Sequence, residues 1–592
     1  MSEYLSPGVY VEEVDRGAKS IEGASTSTAG FLGQTERGPT KPQFLTSFAD
    51  YRRTFGGFID DSYLAYAVEG FFSNGGSRCF VGRITSEDPN HVARGTLTSD
   101  GGTDDEVIEA TAVGPGDWGN SIVVIVEDAT LYKEGENELF RVTVRYWSAD
   151  KDSIDDPVGD APDPSPDVQE IYDDLSPDPS SSNYYEKRIS GVSDVITVDR
   201  RGDGRPENGE TWLHCDEHLN TDGGVNGGDT DDNGSDATGD ENGNGTGNSD
   251  AASIPDDDEL SGMTKAELVE IAEPLDVETN QNKADLLETL QEIRDSDEPL
   301  TDGGGDEVAL GDYQGRTTPG ERTGLAAFTE IQEISIVCAP DENDVQGLTQ
   351  ALVSHCENMG ERFAVLQAEQ SPGPIADMEP PVDSTYAAYY YPWIKIAHPE
   401  TGVETLVPPG GHIVGVYARS DNDVGVHKAP ANEVIRGAQE LQVTITKGEQ
   451  DILNPKGVNC IRSFPGRGIR IWGARTTSSD PSWKYINVRR LFLFIEQSID
   501  DGTQWVVFEP NDQDLWARVS QTVENFLTTV WRNGALMGAD ASEAFFVRCD
   551  RSTMTQDDID NGRLIVEIGI APVKPAEFVI FRIGQMTSEA GG

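Results

Sequence analysis

Residues 219–259 constrain this chain more than any other stretch, because they cannot belong to a folded core. They consist almost entirely of Asp, Gly, Asn and Ser. A segment with so few apolar side chains does not bury enough surface to offset the entropy lost on ordering. We therefore predict an acidic, disordered linker here and a second, polar linker at 297–324, with folded parts on either side.

A short island, residues 260–296, lies between the two linkers. Thr264 and Glu267 are spaced as a capping box before an apolar run, and Asn282 can cap a second helix. Two short helices around an extended segment resemble the helix-extended-helix family, some members of which bind DNA. Acidic residues outnumber the basic ones here, so an interaction or spacer module is favoured over a DNA-binding one.

The charge balance of the whole chain points away from nucleic acid. The 592 residues include 106 Asp and Glu against 44 Lys and Arg, a formal net charge of -62. Binding a phosphate backbone requires a basic surface. The charge favours a halophilic, archaeal origin, because molar salt shortens the screening length to about 3 Å. The alternative is that one acidic insertion skews the total.

The cysteines and the apolar runs indicate the compartment. Six scattered cysteines without a CxxC pair favour buried thiols over a disulfide framework. They are Cys79, Cys215, Cys338, Cys356, Cys460 and Cys549. Residues 1–16 lack the pattern of a signal peptide, and no apolar run approaches the roughly 20 residues that cross a bilayer. We therefore expect assembly in a cytoplasm.

The remaining sequence predicts a multidomain α/β and α+β protein. Residues 21–90 and 325–455 alternate strand-like and helix-like runs, as in a mainly parallel sheet. Residues 104–218 carry β patterns with a tight corner at Gly116–Asn120. Residues 456–574 form a further α+β domain, in which apolar runs such as 505–508 are expected to be short strands.

One helix of that last domain is marked at both ends. Asp512 is placed to cap its start and Gly534 to end it. Apolar residues at helical spacing form one stripe between these two positions: Leu515, Trp516, Val519, Val523, Phe526, Leu527 and Val530.

The sequence predicts a strand at each end of the chain that is separated from the neighbouring domain. Residues 1–20 contain an alternating run that Pro7, Gly8 and Gly17 separate from any local partner, although a disordered N-terminus would show the same pattern. Residues 575–592 contain an apolar run after Pro572 and Pro575. A lone strand exposes unpaired backbone groups unless another chain pairs with it.

Several long sequence motifs, called words below, together resemble those of the contractile tail sheath proteins of phages, R-type pyocins and extracellular contractile injection systems. The resemblance covers about 1–84 and 325 to the end, and not the acidic insertion. The words are LSPGVYVEEV (Leu5–Val14), YPWIKI (Tyr391–Ile396), PPGGHIVGVYAR (Pro408–Arg419), GVHKAPANE (Gly425–Glu433), LNPKGVNCIR (Leu453–Arg462), WGARTTSSDPSWKYINVRRLFLFIE (Trp472–Glu496), WVVFEPND (Trp505–Asp512) and PAEFVIFRI (Pro575–Ile583).

The resemblance implies a structural role in a virion tail or an extracellular contractile particle. Subunits would form hexameric rings stacked into a helical sheath around an inner tube, with baseplate and terminator proteins as further partners. It also implies a subtilisin-like central domain and an outward-projecting variable domain at 104–218. No cofactor, nucleic acid or direct membrane insertion is implied.

The resemblance also assigns residues to contacts between proteins. The two arms would exchange strands between subunits, and the helix after Asp512 would contact the tube, although Trp516 and Phe526 could equally be core. The arm residues are Gly8, Val9, Tyr10, Val11, Glu12, Glu13, Val14, Glu577, Phe578, Val579, Ile580, Phe581, Arg582 and Ile583. The tube-contact residues are Asp512, Gln521, Glu524 and Arg532.

The alternatives are a subtilisin-like hydrolase and a nucleic-acid-binding virion protein that uses residues 260–296. The sequence contains no GxSxG elbow and no GxxxxGK[ST] loop. Four histidines could act as bases, but no serine near them lies in a Gly-flanked nucleophile turn. They are His355, His398, His412 and His427. We therefore expect that the chain is not an enzyme.

Two stretches carry possible metal ligands, and in both the structural interpretation is favoured. Asp229, Asp231, Asn233 and Asp240 match positions of a calcium loop, but in so acidic a segment chance matches are expected. His214, Cys215 and His218 form an HCxxH cluster without an assigned fourth ligand.

Overall fold

The computed structural model describes residues 20–99, 106–133, 135, 138–149, 153–159, 161–215 and 308–582. The predicted N-terminal arm, the linker at 219–259, the island at 260–296, the calcium-loop candidates, His218 and Ile583 lie outside these residues. The second linker is shorter than predicted, because Leu310–Gln314 forms a helix in which Tyr313 is buried.

The described residues form twenty strands. They are β1 (Ala29–Gly33), β2 (Gln43–Leu45), β3 (Cys79–Arg83), β4 (Arg94–Thr98), β5 (Glu106–Ala112), β6 (Ile122–Asp128), β7 (Phe140–Tyr146), β8 (Val168–Leu175), β9 (Ile196–Arg200), β10 (Gly209–Trp212), β11 (Ile336–Cys338), β12 (Phe363–Gln367), β13 (Ala387–Tyr391), β14 (Ile394–Ala397), β15 (Glu404–Val407), β16 (Ala438–Leu441), β17 (Val458–Phe464), β18 (Gly468–Ile471), β19 (Phe545–Arg548) and β20 (Glu567–Ile570).

Twelve α-helices lie in the same residues, and none of them is long and apolar enough to cross a membrane. They are α1 (Phe48–Phe55), α2 (Leu64–Ser73), α3 (Tyr185–Ile189), α4 (Leu310–Gln314), α5 (Gly324–Phe328), α6 (Leu348–Met359), α7 (Gly410–Asp423), α8 (Lys447–Leu453), α9 (Ile486–Thr503), α10 (Gln513–Arg532), α11 (Ala541–Ala544) and α12 (Gln556–Asp560).

The central sheet has eight strands in the order β18-β17-β13-β12-β11-β1-β3-β2. Its six inner strands are parallel and the two edge strands are antiparallel, which confirms the predicted mainly parallel sheet. Because helices cover both faces, β12 is buried throughout. The sheet includes β17 and β18, so the division predicted at residue 456 falls inside it.

Helices α2 and α7 cover one face of this sheet, and α5 and α6 cover the other. Glycines allow α2 and α7 to approach closely. A Cβ at Gly411 would lie 2.3 Å from the backbone of Ala67, and one at Gly415 would lie 2.5 Å from the Phe71 carbonyl oxygen. This packing explains the glycines of the PPGGHIVGVYAR word.

The outer domain consists of two antiparallel sheets, β10-β6-β7-β8 and β4-β5-β9, which share one apolar core. Strand β4 begins at Arg94, so the domain starts before the predicted residue 104. The predicted corner is a tight turn, since Gly116 has a φ of 113° and a short 3-10 helix follows at Asp117–Ser121.

The C-terminal domain packs α9 and α10 against the two-stranded sheet β19-β20. A buried ion pair ties it to the central domain, because the Arg490 guanidinium contacts the Asp421 carboxylate of α7 at 2.7 Å and both side chains are nearly inaccessible. The prediction of a strand at 505–508 is wrong. Trp505 and Val506 lie in a short 3-10 helix, and Phe508 is fully exposed with a φ of 70°.

Five of the six cysteines are buried, as predicted: Cys79, Cys338, Cys356, Cys460 and Cys549. Burial raises the pKa of each of these thiols, so they remain protonated at neutral pH. Cys215 is half-buried and differs from the rest in its surroundings.

Candidate functional site

The last described residues form an exposed apolar segment. Phe578, Val579, Ile580 and Phe581 are 71%, 70%, 77% and 83% exposed. Within the described residues, this segment pairs with no strand. Four adjacent large apolar side chains in water are unfavourable, so the segment has the properties of a strand without its partner.

Glu577, immediately before that segment, is anchored to its own subunit. Its carboxylate accepts hydrogen bonds from Arg475 Nε at 2.8 Å and Nη2 at 2.9 Å, from Asn454 Nδ2 at 2.7 Å and from Tyr485 Oη at 3.0 Å. Lys484 Nζ lies 3.4 Å away. Burial acts to raise the pKa of Glu577, but the hydrogen bonds outweigh it and hold the pKa at about 2.

The sequence marks where the segment becomes apolar, but it does not reveal this anchor. Arg475, Asn454 and Tyr485 are distant from Glu577 in the chain and meet it only through the fold. The WGARTTSSDPSWKY word contains two of these partners. Arg475 and Tyr485 stand near opposite ends of that word, so no local pattern in it indicates an acidic partner.

The C-terminal domain also presents a small sheet whose edges are only partly occupied, since just beyond β20 Met537 N donates to the Ala571 carbonyl at 2.8 Å. Strands β19 and β20 pair with each other, and neither pairs with a third strand within the described residues. Phe546 of β19 is 47% exposed. A two-stranded sheet is marginal by itself, and its outer N–H and C=O groups can accept a further strand.

An apolar groove of about 780 Å³ lies beside β20. One wall consists of Leu564, Val566 and Ile568, and α10 contributes Leu515 and Val519 to the other. Groove and sheet edge adjoin each other, so this side of the domain offers both backbone pairing and apolar contacts to an incoming segment.

Helix α10 follows the predicted pattern. The Asp512 carboxylate accepts a hydrogen bond from Leu515 N at 2.9 Å, and Gly534 ends the helix with a φ of 82°. The apolar stripe is buried, including Trp516 and Phe526 at 4% and 7% exposure. These two residues therefore belong to the core.

The opposite face of α10 is in solvent. Asp512, Gln521, Glu524 and Arg532 are all exposed. Their assignment to a tube contact stays a prediction, but the helix separates a packing face from a free polar face, as such a contact requires.

The four histidines considered as bases have structural surroundings. His412 is fully buried against Gly70, and burial lowers its pKa to about 4. His355 Nε2 accepts a hydrogen bond from Arg362 Nη1 at 2.8 Å, and burial together with the Arg362 charge lowers its pKa to about 4. Burial also lowers the pKa of His427, while His398 Nδ1 accepts the Glu400 amide.

The most perturbed carboxyls of the central domain hold secondary structure together. The Asp341 carboxylate accepts hydrogen bonds from Ser62 Oγ at 2.6 Å and from Tyr63 N at 2.7 Å. Burial raises its pKa to about 6 despite these bonds. Asp341 thereby fixes the start of α2 to the end of β11, and Glu342 similarly accepts the Gln367 amide of β12 at 2.6 Å.

Of the HCxxH stretch, only His214 and Cys215 lie within the described residues. His214 pairs through its backbone with Arg94, with N···O distances of 2.8 and 2.9 Å, whereas the Cys215 thiol lies near His91 and Asp117. Among the described residues, Cys215 is therefore grouped with His91 and Asp117 and not with His214.

Comparison with known proteins gives two adjacent family matches. Residues 314–477 match the phage tail sheath protein central domain, and residues 478–585 match the phage tail sheath C-terminal domain.

The curated relatives match this chain over less than half of their own length. The tail sheath protein of Vibrio phage KVP40 is 27% identical over 188 residues, which cover 31% of this chain and 27% of the relative. That of Burkholderia phage BcepMu is 27% identical over 236 residues, which cover 38% of this chain and 47% of the relative. The chain thus spans about a quarter to a half of these relatives.

Solved sheath structures are similar to this chain at the level of the fold. The sheath complex of an extracellular contractile injection system in the contracted state is 19% identical with a TM-score of 0.51, and all of both chains is covered. The helical sheath of the anti-feeding prophage in the contracted state is 21% identical with a TM-score of 0.50, covering 98% of this chain and all of that one.

These relatives are structural sheath proteins and not enzymes, in agreement with the expectation for this chain. The division between the two matched domains falls at residue 477 and not at the predicted 455, because β17 and β18 complete the central sheet. Over residues 314–585, the chain is therefore similar to the central and C-terminal domains of phage tail sheath proteins.

Proposed function

We propose that this chain is the sheath subunit of a contractile tail or an extracellular contractile injection particle. The observation that carries the proposal is the exposed apolar run Phe578–Phe581, which follows an anchored Glu577 in a chain with tail sheath domains. Subunits would stack as hexameric rings around an inner tube and contract to drive the tube through a target envelope.

The C-terminal run supplies the link between subunits. Burying one large apolar side chain contributes roughly 1.5–3 kcal/mol. Burial of four such side chains against a neighbouring copy would therefore stabilise the contact between subunits. The two-stranded sheet β19-β20 and its adjacent groove are the acceptor on that copy. The N-terminal run Gly8–Val14 adds a second strand by the same mode of β-augmentation.

Such a contact joins different patches of identical chains. A head-to-tail contact does not close on itself in pairs, and it propagates into rings or helical filaments. A donor segment on one side and an acceptor sheet on the other therefore lead to an extended lattice.

The anchor at Glu577 sets how the lattice moves. Because Glu577 is held by Arg475, Asn454 and Tyr485, each donor segment leaves its subunit from a fixed point. Subunits then rotate and shift as rigid bodies while their arms stay paired. The extended lattice is metastable, and contraction buries additional surface between subunits.

The remaining partners follow from this role. The exposed face of α10, with Gln521 and Glu524, contacts the inner tube, and baseplate and terminator proteins bind the two ends of the sheath. Assembly takes place in the cytoplasm of a halophilic, archaeal host, which the net charge of -62 supports.

Electron microscopy of the purified protein in molar salt tests the proposal. Wild-type protein, alone or with the inner tube, forms hollow tubes or stacked rings, whereas Val579→Asp and Phe581→Asp together leave soluble, folded subunits. Val403→Asp is the matched control, because Val403 is 63% exposed in the central domain and its variant assembles normally. Normal tubes from the double variant would contradict the proposed arm.

A further inference from the structure

The outer domain brings three chemically different metal ligands together. His91 Nε2, a carboxylate oxygen of Asp117 and Cys215 Sγ all lie within 4.8 Å of one another. His91 Nε2 is 3.0 Å from Asp117 Oδ1 and 3.9 Å from Glu87 Oε2. Imidazole, thiolate and carboxylate are the donor types that Zn²⁺ takes in proteins. We propose that His91, Asp117 and Cys215 form a zinc-binding site.

Backbone hydrogen bonds hold the three segments that supply these ligands. Gly116 N donates to the His91 carbonyl at 2.8 Å, which ties the His91 loop to the corner at Asp117. Cys215 N donates to Asn120 Oδ1 at 2.7 Å, and Asn120 Nδ2 donates to Asp117 Oδ1 at 3.2 Å. Asn120 therefore positions two of the ligands, the role that outer-shell groups have in metal sites.

The geometry requires only small side-chain adjustments. A tetrahedral zinc with bonds of about 2.0 to 2.3 Å places its donor atoms roughly 3.3 to 3.8 Å apart. The present separations, up to 4.8 Å, need shifts on the order of 1 Å, the scale of a small χ rotation. Asp117 can make this shift because its side chain is 77% exposed. Glu87, or a water molecule, supplies the fourth donor.

Cys215 separates this cluster from an ordinary surface ion pair. His91 with Asp117 alone would be one of many exposed pairs of little consequence. The other five cysteines are buried, whereas the half-buried Cys215 has its Sγ within 4.8 Å of an imidazole nitrogen and a carboxylate oxygen and donates to the Gly116 carbonyl at 3.6 Å. Zinc would bind its sulfur with release of the thiol proton to solvent.

The site would have a structural effect on the outer domain. It joins the loop before β4, the corner before β6 and the segment after β10. In the sequence, Cys215 lies shortly before the acidic stretch predicted at 219–259. A zinc ion here would link these three segments of the domain to one another.

Metal titration of the full-length protein tests the site. The protein is stripped with a chelator in molar NaCl and titrated with Co²⁺, followed by Zn²⁺. We expect one equivalent of cobalt to give a thiolate-to-cobalt charge-transfer band, which Zn²⁺ removes. Cys215→Ser abolishes the band, and His91→Gln and Asp117→Asn each weaken binding about 10- to 100-fold.

Two control variants distinguish this site from other ligands of the chain. Cys549→Ser removes a different cysteine, and Asp231→Asn removes a carboxylate of the acidic insertion, so both leave the titration unchanged. Circular dichroism establishes that each variant folds, and zinc raises the thermal midpoint of the wild type but not of Cys215→Ser. A wild type without the band, or a band that survives in all three site variants, overturns the proposal.

Discussion

Glu577 divides the C-terminal segment into an anchored half and an exposed half. On the anchored side, Val573 N donates to the Ala535 carbonyl at 3.1 Å. Replacing Glu577 by Gln removes the charge that Arg475 and Lys484 face, and hydrogen bonds to charged groups contribute about 1.5–3 kcal/mol. We expect the Val573 amide to exchange with solvent roughly 10- to 100-fold faster in Glu577→Gln, as measured by hydrogen exchange.

The same anchor should depend on pH in a defined direction. The pKa of Glu577 in the folded protein, about 2, lies below its ordinary value of 4.5. Its stabilising contribution is therefore fully present above about pH 4.5 and is lost as the pH falls towards 2. Glu379→Gln is the control, since Glu379 pairs with Lys456 at 3.1 Å on the surface and is 69% exposed. Equal exchange in wild type and Glu577→Gln at pH 7 would show that Glu577 is no anchor.

Glu577 shows which contacts a sequence alone does not predict. Local patterns predict the apolar run after Pro575, because apolar composition and flanking prolines are properties of neighbouring residues. The partners of Glu577, and the meeting of His91 with Cys215, arise between distant segments. Such contacts leave no local signature, so only the fold reveals them.

At the scale of elements, α10 combines a core face with a free polar face. We expect Glu524→Lys to weaken co-sedimentation with the inner tube several-fold while the thermal midpoint stays unchanged, because Glu524 is exposed. Phe526→Ala, on the buried face, should instead destabilise the domain by about 3–5 kcal/mol. Glu207→Lys makes the same charge change on the exposed outer domain. Tube binding that drops equally in Glu207→Lys would indicate a general charge effect.

The elements also show which sequence signals are dependable. Both ends of α10 were predictable, since a cap and a glycine act locally through one hydrogen bond and one backbone angle. The apolar run at 505–508 predicted a strand that does not exist, because four apolar residues alone do not specify a partner strand. The run from Tyr386 to Ile396 is divided into β13 and β14 around Pro392, which cannot donate a backbone hydrogen bond.

For the whole molecule, the distribution of charge decides how it should respond to salt. Residues 219–307 hold 26 acidic and 3 basic side chains, a net charge of -23. Subtracting this from -62 leaves -39 for the remaining residues. Residues 219–307 therefore account for only part of the negative charge. Subunits packed in a lattice would repel one another through the charges of their folded domains.

This repulsion should make assembly require high salt even without the insertion. The screening length is about 10 Å at 0.1 M and about 3 Å at 1 M, so only molar salt shields charges on adjoining subunits. We expect both the full chain and a variant in which a short Gly-Ser linker replaces residues 219–307 to assemble in molar KCl and to dissociate at 0.1 M. Light scattering across a KCl series measures the transition, with potassium glutamate at equal ionic strength as the control for specific anion effects. Stable assemblies of the shortened chain at 0.1 M would instead assign the salt requirement to the insertion.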